Sequence, residues 1–215
     1  MIIRNNYIEE YSKEKSELIL KENFSSNKKA IFLDRDGVLI EDVNRIDDIS
    51  KVKLCKNVLP FLEFAHKNNF DLNIVTNQSS VSRGIINYTK YIEITEYFLA
   101  KLPKYLYPNF IIASFHLPDN KNNLKKFSWR KPGTGMFERI LKQKKYNTYE
   151  SFMIGDKLTD LIPANKCNIK NLLYIKSNLH KNQIYEVKKW NKDNKQKIKI
   201  IDNLDSHYIE QLMLT

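Results

Sequence analysis

Brief apolar runs alternate with longer amphipathic ones along most of this chain. Ala30–Leu33, Leu72–Thr76, Phe110–Phe115, Phe152–Ile154, Asn171–Ile175 and Ile198–Ile201 are rich in Ile, Leu, Val and Phe. Near-continuous apolar runs of that length predict strands buried on both faces. Between them, Val58–Asn68, Tyr88–Leu102, Gly135–Lys145, Asp160–Cys167 and Lys181–Trp190 read as helices, and Ser206–Leu214 as a closing one. Strand and helix in alternation predict an α/β domain with a mainly parallel sheet and helices on both faces. Residues 1–28 stand apart as an N-terminal extension before a domain at 29–215. In the extension Tyr7, Ile8, Tyr11, Leu18 and Ile19 recur at roughly helical spacing, which predicts a short amphipathic helix. Ser25-Ser26-Asn27 reads as the break after it.

Composition narrows the picture. The chain has 215 residues, 42% of them hydrophobic, enough for one substantial core. No apolar run approaches the roughly 18 residues needed to cross a bilayer, and residues 1–29 lack the apolar stretch of a signal peptide. The expectation is a cytoplasmic protein with no membrane partner. Cys55 and Cys167 fit no metal or redox spacing and read as buried, reduced thiols. Net charge is +11, yet of 36 basic residues only Arg4, Arg35, Arg45, Arg83, Arg130 and Arg139 are arginine. Lysines spread along the chain read as a solvated surface rather than a nucleic-acid groove.

Four polar clusters each follow a strand, which brings them to one edge of the sheet, where open α/β sheets bind ligands. Asp34 and Asp36, with Gly37 after them, set two carboxylates at the end of the first strand. One carboxylate can attack phosphorus and the other exchange protons with leaving group and water. Two such anions call for a cation, and oxygen ligands favour Mg²⁺. The same Asp-Arg-Asp-Gly run also suits a plain surface turn. Thr76-Asn77-Gln78-Ser79 offers hydroxyl and amide donors, or a helix cap. Arg83-Gly84 sits a few residues on, either closing the site or solvated. Arg130-Lys131-Pro132 offers a guanidinium fork and a point charge, or a basic loop. Gly155-Asp156-Lys157 adds a carboxylate, and Asp160 orients it or caps a helix.

In this order the four clusters resemble the haloacid dehalogenase superfamily, nearest to the phosphatases of D-glycero-D-manno-heptose-1,7-bisphosphate and histidinol phosphate. The resemblance spans about Ala30 to Asn171. It implies a Rossmann-like domain and a Mg²⁺-dependent phosphatase that hydrolyses a small phosphate monoester through an aspartyl phosphate. By the resemblance Asp34 is the nucleophile and Asp36 the general acid–base. Mg²⁺ is held by Asp34, the backbone carbonyl of Asp36, and Asp156. Thr76 and Lys131 steady the transferring phosphoryl group. Asn77, Gln78, Ser79 and Arg130 contact substrate, with Lys157 nearby. The implied partner is a small phosphorylated metabolite, a sugar or sugar-like precursor of bacterial surface polysaccharide, and the protein a monomer or small homo-oligomer. Histidinol phosphate and the 3′-phosphate of a polynucleotide are the alternatives; polynucleotide 3′-phosphatases share the Arg-Lys-Pro-x-x-Gly-Met pattern. A phosphate-binding protein without turnover would lose one of Asp34, Asp36, Lys131 or Asp156, and none is lost. One strand and one helix use most of the chain from Asp36 to Thr76, and again from Thr76 to Lys131. No large cap domain fits, and loops Asp42–Ser50 and Leu117–Ser128 are left to shield an open mouth.

Two segments depart from the subgroup. Many members bind a structural zinc through Cys-x-His and Cys-x-Cys, where this chain has Ser114-Phe115-His116 and Phe127-Ser128-Trp129. One histidine cannot make a tetrahedral site, so no structural zinc is expected. His116 then reads as a loop residue or substrate contact, and Phe127 and Trp129 as apolar packing. The His-Gly-Tyr-like segment of heptose bisphosphate phosphatases is replaced by Glu41-Asp42-Val43-Asn44-Arg45. Both changes fall on loops that would choose the substrate.

Overall fold

The computed structural model describes residues 8–12, 15–20, 28–118, 129–205 and 209–211. In chain order the elements are β1 (Ile8–Ser12), β2 (Lys15–Ile19), β3 (Ala30–Leu33), α1 (Val58–Lys67), β4 (Asp71–Asn77), α2 (Tyr88–Ala100), β5 (Phe110–Ser114), α3 (Gly135–Gln143), β6 (Phe152–Gly155), α4 (Leu158–Lys166), β7 (Asn171–Ile175), α5 (Gln183–Asp193) and β8 (Ile198–Ile201). Six parallel strands lie in the order β5-β4-β3-β6-β7-β8. The chain winds outward from β3 to β5, then returns through α3 to start the other half at β6. β3 and β6 therefore flank the topological switch point, where a crevice opens at the carboxyl ends of the strands.

Side-chain alternation along β3 explains the two layers. Ile31 and Leu33 join a core with Val58, Phe61, Ile94 and Phe98, under α1 and α2. Ala30 and Phe32 face the other way, into a core with Met136, Phe137, Leu161 and Val187 from α3, α4 and α5. Phe32 packs its ring 5.5 Å from that of Phe137. From Ala30 on, the expected strands and helices appear, shifted by up to three residues at their ends, except the closing helix. Only 209–211 of that segment are described; they are helical, and Ile209 is buried. No helix of the described residues is long and apolar enough to cross a membrane. Cys55 and Cys167 are unpaired and half-buried, and burial pushes each thiol up to about 12.

The N-terminal segment corrects its expectation. It forms two strands, not an amphipathic helix: β1 pairs antiparallel with β2, and β2 antiparallel with β5, extending the sheet to eight strands. Leu18 is buried in the α1–α2 core. Buried Glu17 accepts from Arg139 Nε of α3 at 2.7 Å and pairs with Lys15 at 2.6 Å. A carboxylate inside a sheet is tolerable only when matched by such partners, and Arg139 lies too far along the chain for local spacing to reveal it.

Candidate active site

Asp34 leaves β3 at the switch point. Its Oδ1 accepts from Arg35 N at 2.8 Å and faces Lys131 Nζ at 3.0 Å. Burial pushes its pKa up, the neighbouring Lys131 charge pulls it down, and the net direction is upward. Asp36, two residues on, is held by Arg35 through Nε at 2.7 Å and by Gln78 Nε2 at 2.8 Å. Burial raises it too, but the Arg35 guanidinium and the donated hydrogen bonds outweigh burial and hold the carboxyl below its ordinary range. The two acids, alike in sequence, thus sit in opposite electrostatic surroundings.

Lys131 is buried among three acceptors. Besides Asp34 it meets Asp160 Oδ1 at 2.8 Å and donates to Val75 O at 2.7 Å. Burial alone would lower its pKa; Asp160 and Asp34 together raise it, so the ammonium stays charged. Asn77 braces the lysine's main chain: its Nδ2 donates to Lys131 O and its Oδ1 accepts from Lys131 N, both at 3.1 Å. Gln78 also donates to Thr76 Oγ1 at 2.9 Å. Asn77 and Gln78, expected at the substrate, are engaged with the protein's own catalytic candidates.

Asp156, at the end of β6, is fully buried, and neither carboxylate oxygen has a hydrogen-bond partner. Its nearest cation is Lys157 Nζ at 3.3 Å. Burial first, then Asp160, pushes its pKa up to about 8. An orphaned buried carboxylate is costly unless a cation completes it. Asp34, Asp156 and Asp160 bring carboxylate oxygens within 4.8 Å of one another. Asp160, however, is committed: Oδ1 to Lys131 and Oδ2 to Lys157 N at 3.0 Å, capping α4. Gly37 keeps space beside the orphan, since a Cβ there would lie 2.6 Å from Asp156 Oδ2, and its φ of +88° favours glycine. Asp34 and Asp156 therefore fit a hard divalent cation such as Mg²⁺. The Asp36 side chain is turned to Arg35 and Gln78, which leaves its backbone carbonyl as the part available to a metal.

A cavity of about 590 Å³ opens above these groups. Asp34, Asp36, Thr76, Asn77, Ser79, Arg130, Lys131 and Lys157 of the expected set line it; Gln78 and Asp156 lie just behind. Arg83 is exposed and outside the lining. Arg130 donates from Nη1 to His116 O at 2.9 Å, and His116 also lines the cavity. Trp129 donates from Nε1 to Ala113 O at 3.1 Å and packs on the α3–α5 core, as expected of it. Phe127 and Ser128, with the rest of 119–128, lie outside the described residues. Sequence reasoning placed Asp42 on a loop that would choose the substrate but gave it no role of its own, and it missed His180. His180 Nε2 is 3.0 Å from Asp42 Oδ2, and both line the cavity. Neither belongs to a recognisable motif, so only the fold brings them together.

Comparison with known proteins identifies the family. The family model described as polynucleotide kinase 3 phosphatase matches residues 29–171. D-glycero-beta-D-manno-heptose-1,7-bisphosphate 7-phosphatase of Haemophilus ducreyi is 30% identical over 153 residues, 70% of this chain and 84% of that protein. The protein of the same name from Haemophilus influenzae is 34% identical over 137 residues, 62% of this chain and 73% of its own length. The crystal structure of D,D-heptose 1.7-bisphosphate phosphatase from B. bronchiseptica, complexed with magnesium and phosphate, matches with a TM-score of 0.70 at 20% identity. It covers 86% of this chain and 98% of that one. The chain belongs to the polynucleotide kinase 3 phosphatase family of haloacid dehalogenase-like phosphatases. The expected fold and reaction class, hydrolysis of a phosphate ester, are borne out.

Proposed function

We propose that this phosphatase acts on a phosphorylated sugar or sugar-like metabolite through a phosphoryl group carried on Asp34. The observation behind this reading is the pairing at the switch point: Asp34, 3.0 Å from a charged buried Lys131, beside the orphaned carboxylate of Asp156. Asp34 attacks phosphorus, and the bond to the leaving oxygen breaks. Asp36 protonates that oxygen; approach of a phosphate dianion raises its proton affinity against the pull of Arg35. Asp36 then takes a proton from water as water attacks phosphorus, which frees Asp34 and inorganic phosphate. Lys131 offsets charge on the phosphoryl oxygens. Asp34, Asp156 and the Asp36 carbonyl would hold Mg²⁺, which when bound would screen the phosphate from the carboxylates. Asn77 and Gln78 act as positioning residues for Lys131 and Asp36, while Ser79, Arg130 and Lys157 face the substrate. A cytoplasmic location accords with the unpaired cysteines.

Phosphate release with Mg²⁺ from sugar mono- and bisphosphates, histidinol phosphate and a 3′-phosphorylated oligonucleotide tests the reading. Sugar esters should lead, and Asp34→Asn should lower turnover by roughly 10⁴-fold or more. Full activity in that variant defeats the assignment. A second reading, a polynucleotide 3′-end as substrate, is favoured by the family description and the net charge of +11. It predicts steep loss of activity with salt on the oligonucleotide.

A further inference from the structure

Two loops meet beside Asp156, and none of the four motifs accounts for them. Asp42 lies in the loop after β3 and His180 in the loop between β7 and α5. Their contact, His180 Nε2 to Asp42 Oδ2 at 3.0 Å, closes one side of the mouth. Lys157 Nζ stands 3.5 Å from the same Asp42 oxygen. The His180 loop is fastened a second time, where Gln183 Oε1 accepts from Leu158 N at 2.9 Å at the start of α4. Both ends of the pair are thus held relative to the carboxylates below. The Asp42 side chain is 13% exposed and that of His180 32%, so each is fixed yet open to the cavity they line with Asn44.

We propose that Asp42 and His180 are specificity-determining residues that read hydroxyl groups of the leaving group, and that the substrate presents a neutral polyol, not a second phosphate, to this side. The inference rests on the phosphatase reading above. A carboxylate accepts hydrogen bonds from hydroxyls and has none to donate to an anion. A second phosphate beside Asp42 would meet like charge in a partly desolvated place. Lys157 does not reverse this, because its ammonium already faces Asp156 and Asp42. Apolar side chains line the same cavity as the polar pair: Leu117, 47% exposed, and Pro118. A sugar carries hydroxyls on its edge and C–H groups on its faces, and so matches both features. Asp42 Oδ1 already accepts from Asn44 N at 2.8 Å and Oδ2 faces His180, so a wholly apolar leaving group would make no use of the acceptor sites that remain, and an anionic one would be repelled.

The test compares D-glycero-D-manno-heptose 7-phosphate, its 1,7-bisphosphate and p-nitrophenyl phosphate on the full chain with Mg²⁺. The wild type should prefer the monophosphate to the bisphosphate. Asp42→Asn should lower kcat/KM for the monophosphate relative to p-nitrophenyl phosphate by about 10- to 100-fold, the range for losing hydrogen bonds to a charged group. The loss should fall mainly on KM, and the gap to the bisphosphate should narrow. His180→Gln should move the same ratios in the same direction. Equal proportional losses on all three esters, or a wild-type preference for the bisphosphate, overturn the inference. Wild-type turnover of p-nitrophenyl phosphate but of neither heptose ester overturns it alone. Turnover of none of the three defeats the proposed function as well.

Discussion

The ammonium nitrogen of Lys131 lies 3.0 Å from Oδ1 of Asp34, and the same nitrogen meets Asp160 at 2.8 Å. One buried cation thereby faces two buried carboxylates at once. Removing it leaves both uncompensated, which typically costs about 3–5 kcal/mol. Lys131→Ala should lose stability on that scale at neutral pH, and turnover with it. Lowering the pH should recover part of the loss, because protonation discharges the stranded carboxylates. Urea melts of both proteins at pH 7 and pH 5 check this; an equal deficit at both values contradicts it.

Asp156 sets the pH dependence of metal binding. Its pKa stands near 8 in the folded chain against 3.8 in the unfolded one. Between those values the folded chain keeps a proton that the unfolded chain has released. Stability of the metal-free protein should therefore fall as pH rises through that window. Magnesium must displace that proton, so its affinity should weaken about tenfold for each unit below about pH 8 and level off above. Melting curves with and without Mg²⁺ from pH 6 to 9 read both effects. In Asp156→Asn the metal-free form should melt higher at pH 8 and the Mg²⁺ shift should vanish.

Gly37 and Gly84 form a matched pair for testing the space beside the metal site. Both have positive φ, +88° and +68°, but a Cβ on Gly84 meets nothing within 4 Å, whereas one on Gly37 would press on Asp156. Gly84→Ala should cost only the left-handed backbone penalty, about 1–2 kcal/mol. Gly37→Ala should cost that and also weaken Mg²⁺ binding, which isothermal titration measures. Equal Mg²⁺ affinity in the two variants contradicts the role given to Gly37.

The β1–β2 hairpin covers the edge of β5 and places Leu18 in the core. Deleting residues 1–20 should lower the melting temperature and, by baring a parallel-sheet edge, cause concentration-dependent association. Sedimentation of the truncated and full chains at several concentrations decides it; an unchanged, monodisperse truncation contradicts the structural role.

The parts legible in the sequence share one property: their signal is local. Ala30–Leu33 is a run of apolar residues ending in Asp34 and Asp36, and strand, site and chemistry all lie within a few residues. Thr76 and Asp156 stood out for the same reason, each at the end of its own apolar run, whereas Lys131 stood out through the Arg130-Lys131-Pro132 run well beyond the nearest strand. The hairpin was not, because the spacing of its apolar residues mimics a helix, and the Arg139 that matches buried Glu17 lies on α3, far along the chain. The roles of Asn77 and Gln78 were half legible. Their place near phosphate chemistry followed from the chain, but their partners, Lys131 and Asp36, belong to other strands. Asp42 and His180 carry no motif, and their contact exists only because two loops converge over the switch point.

The central claim is that Asp34 itself becomes phosphorylated. Borohydride reduction during turnover converts an aspartyl phosphate to homoserine, and peptide mass spectrometry locates the converted residue. The account predicts homoserine at position 34, present only with substrate. Homoserine at position 36 or at another carboxylate, or none while turnover continues, would contradict it.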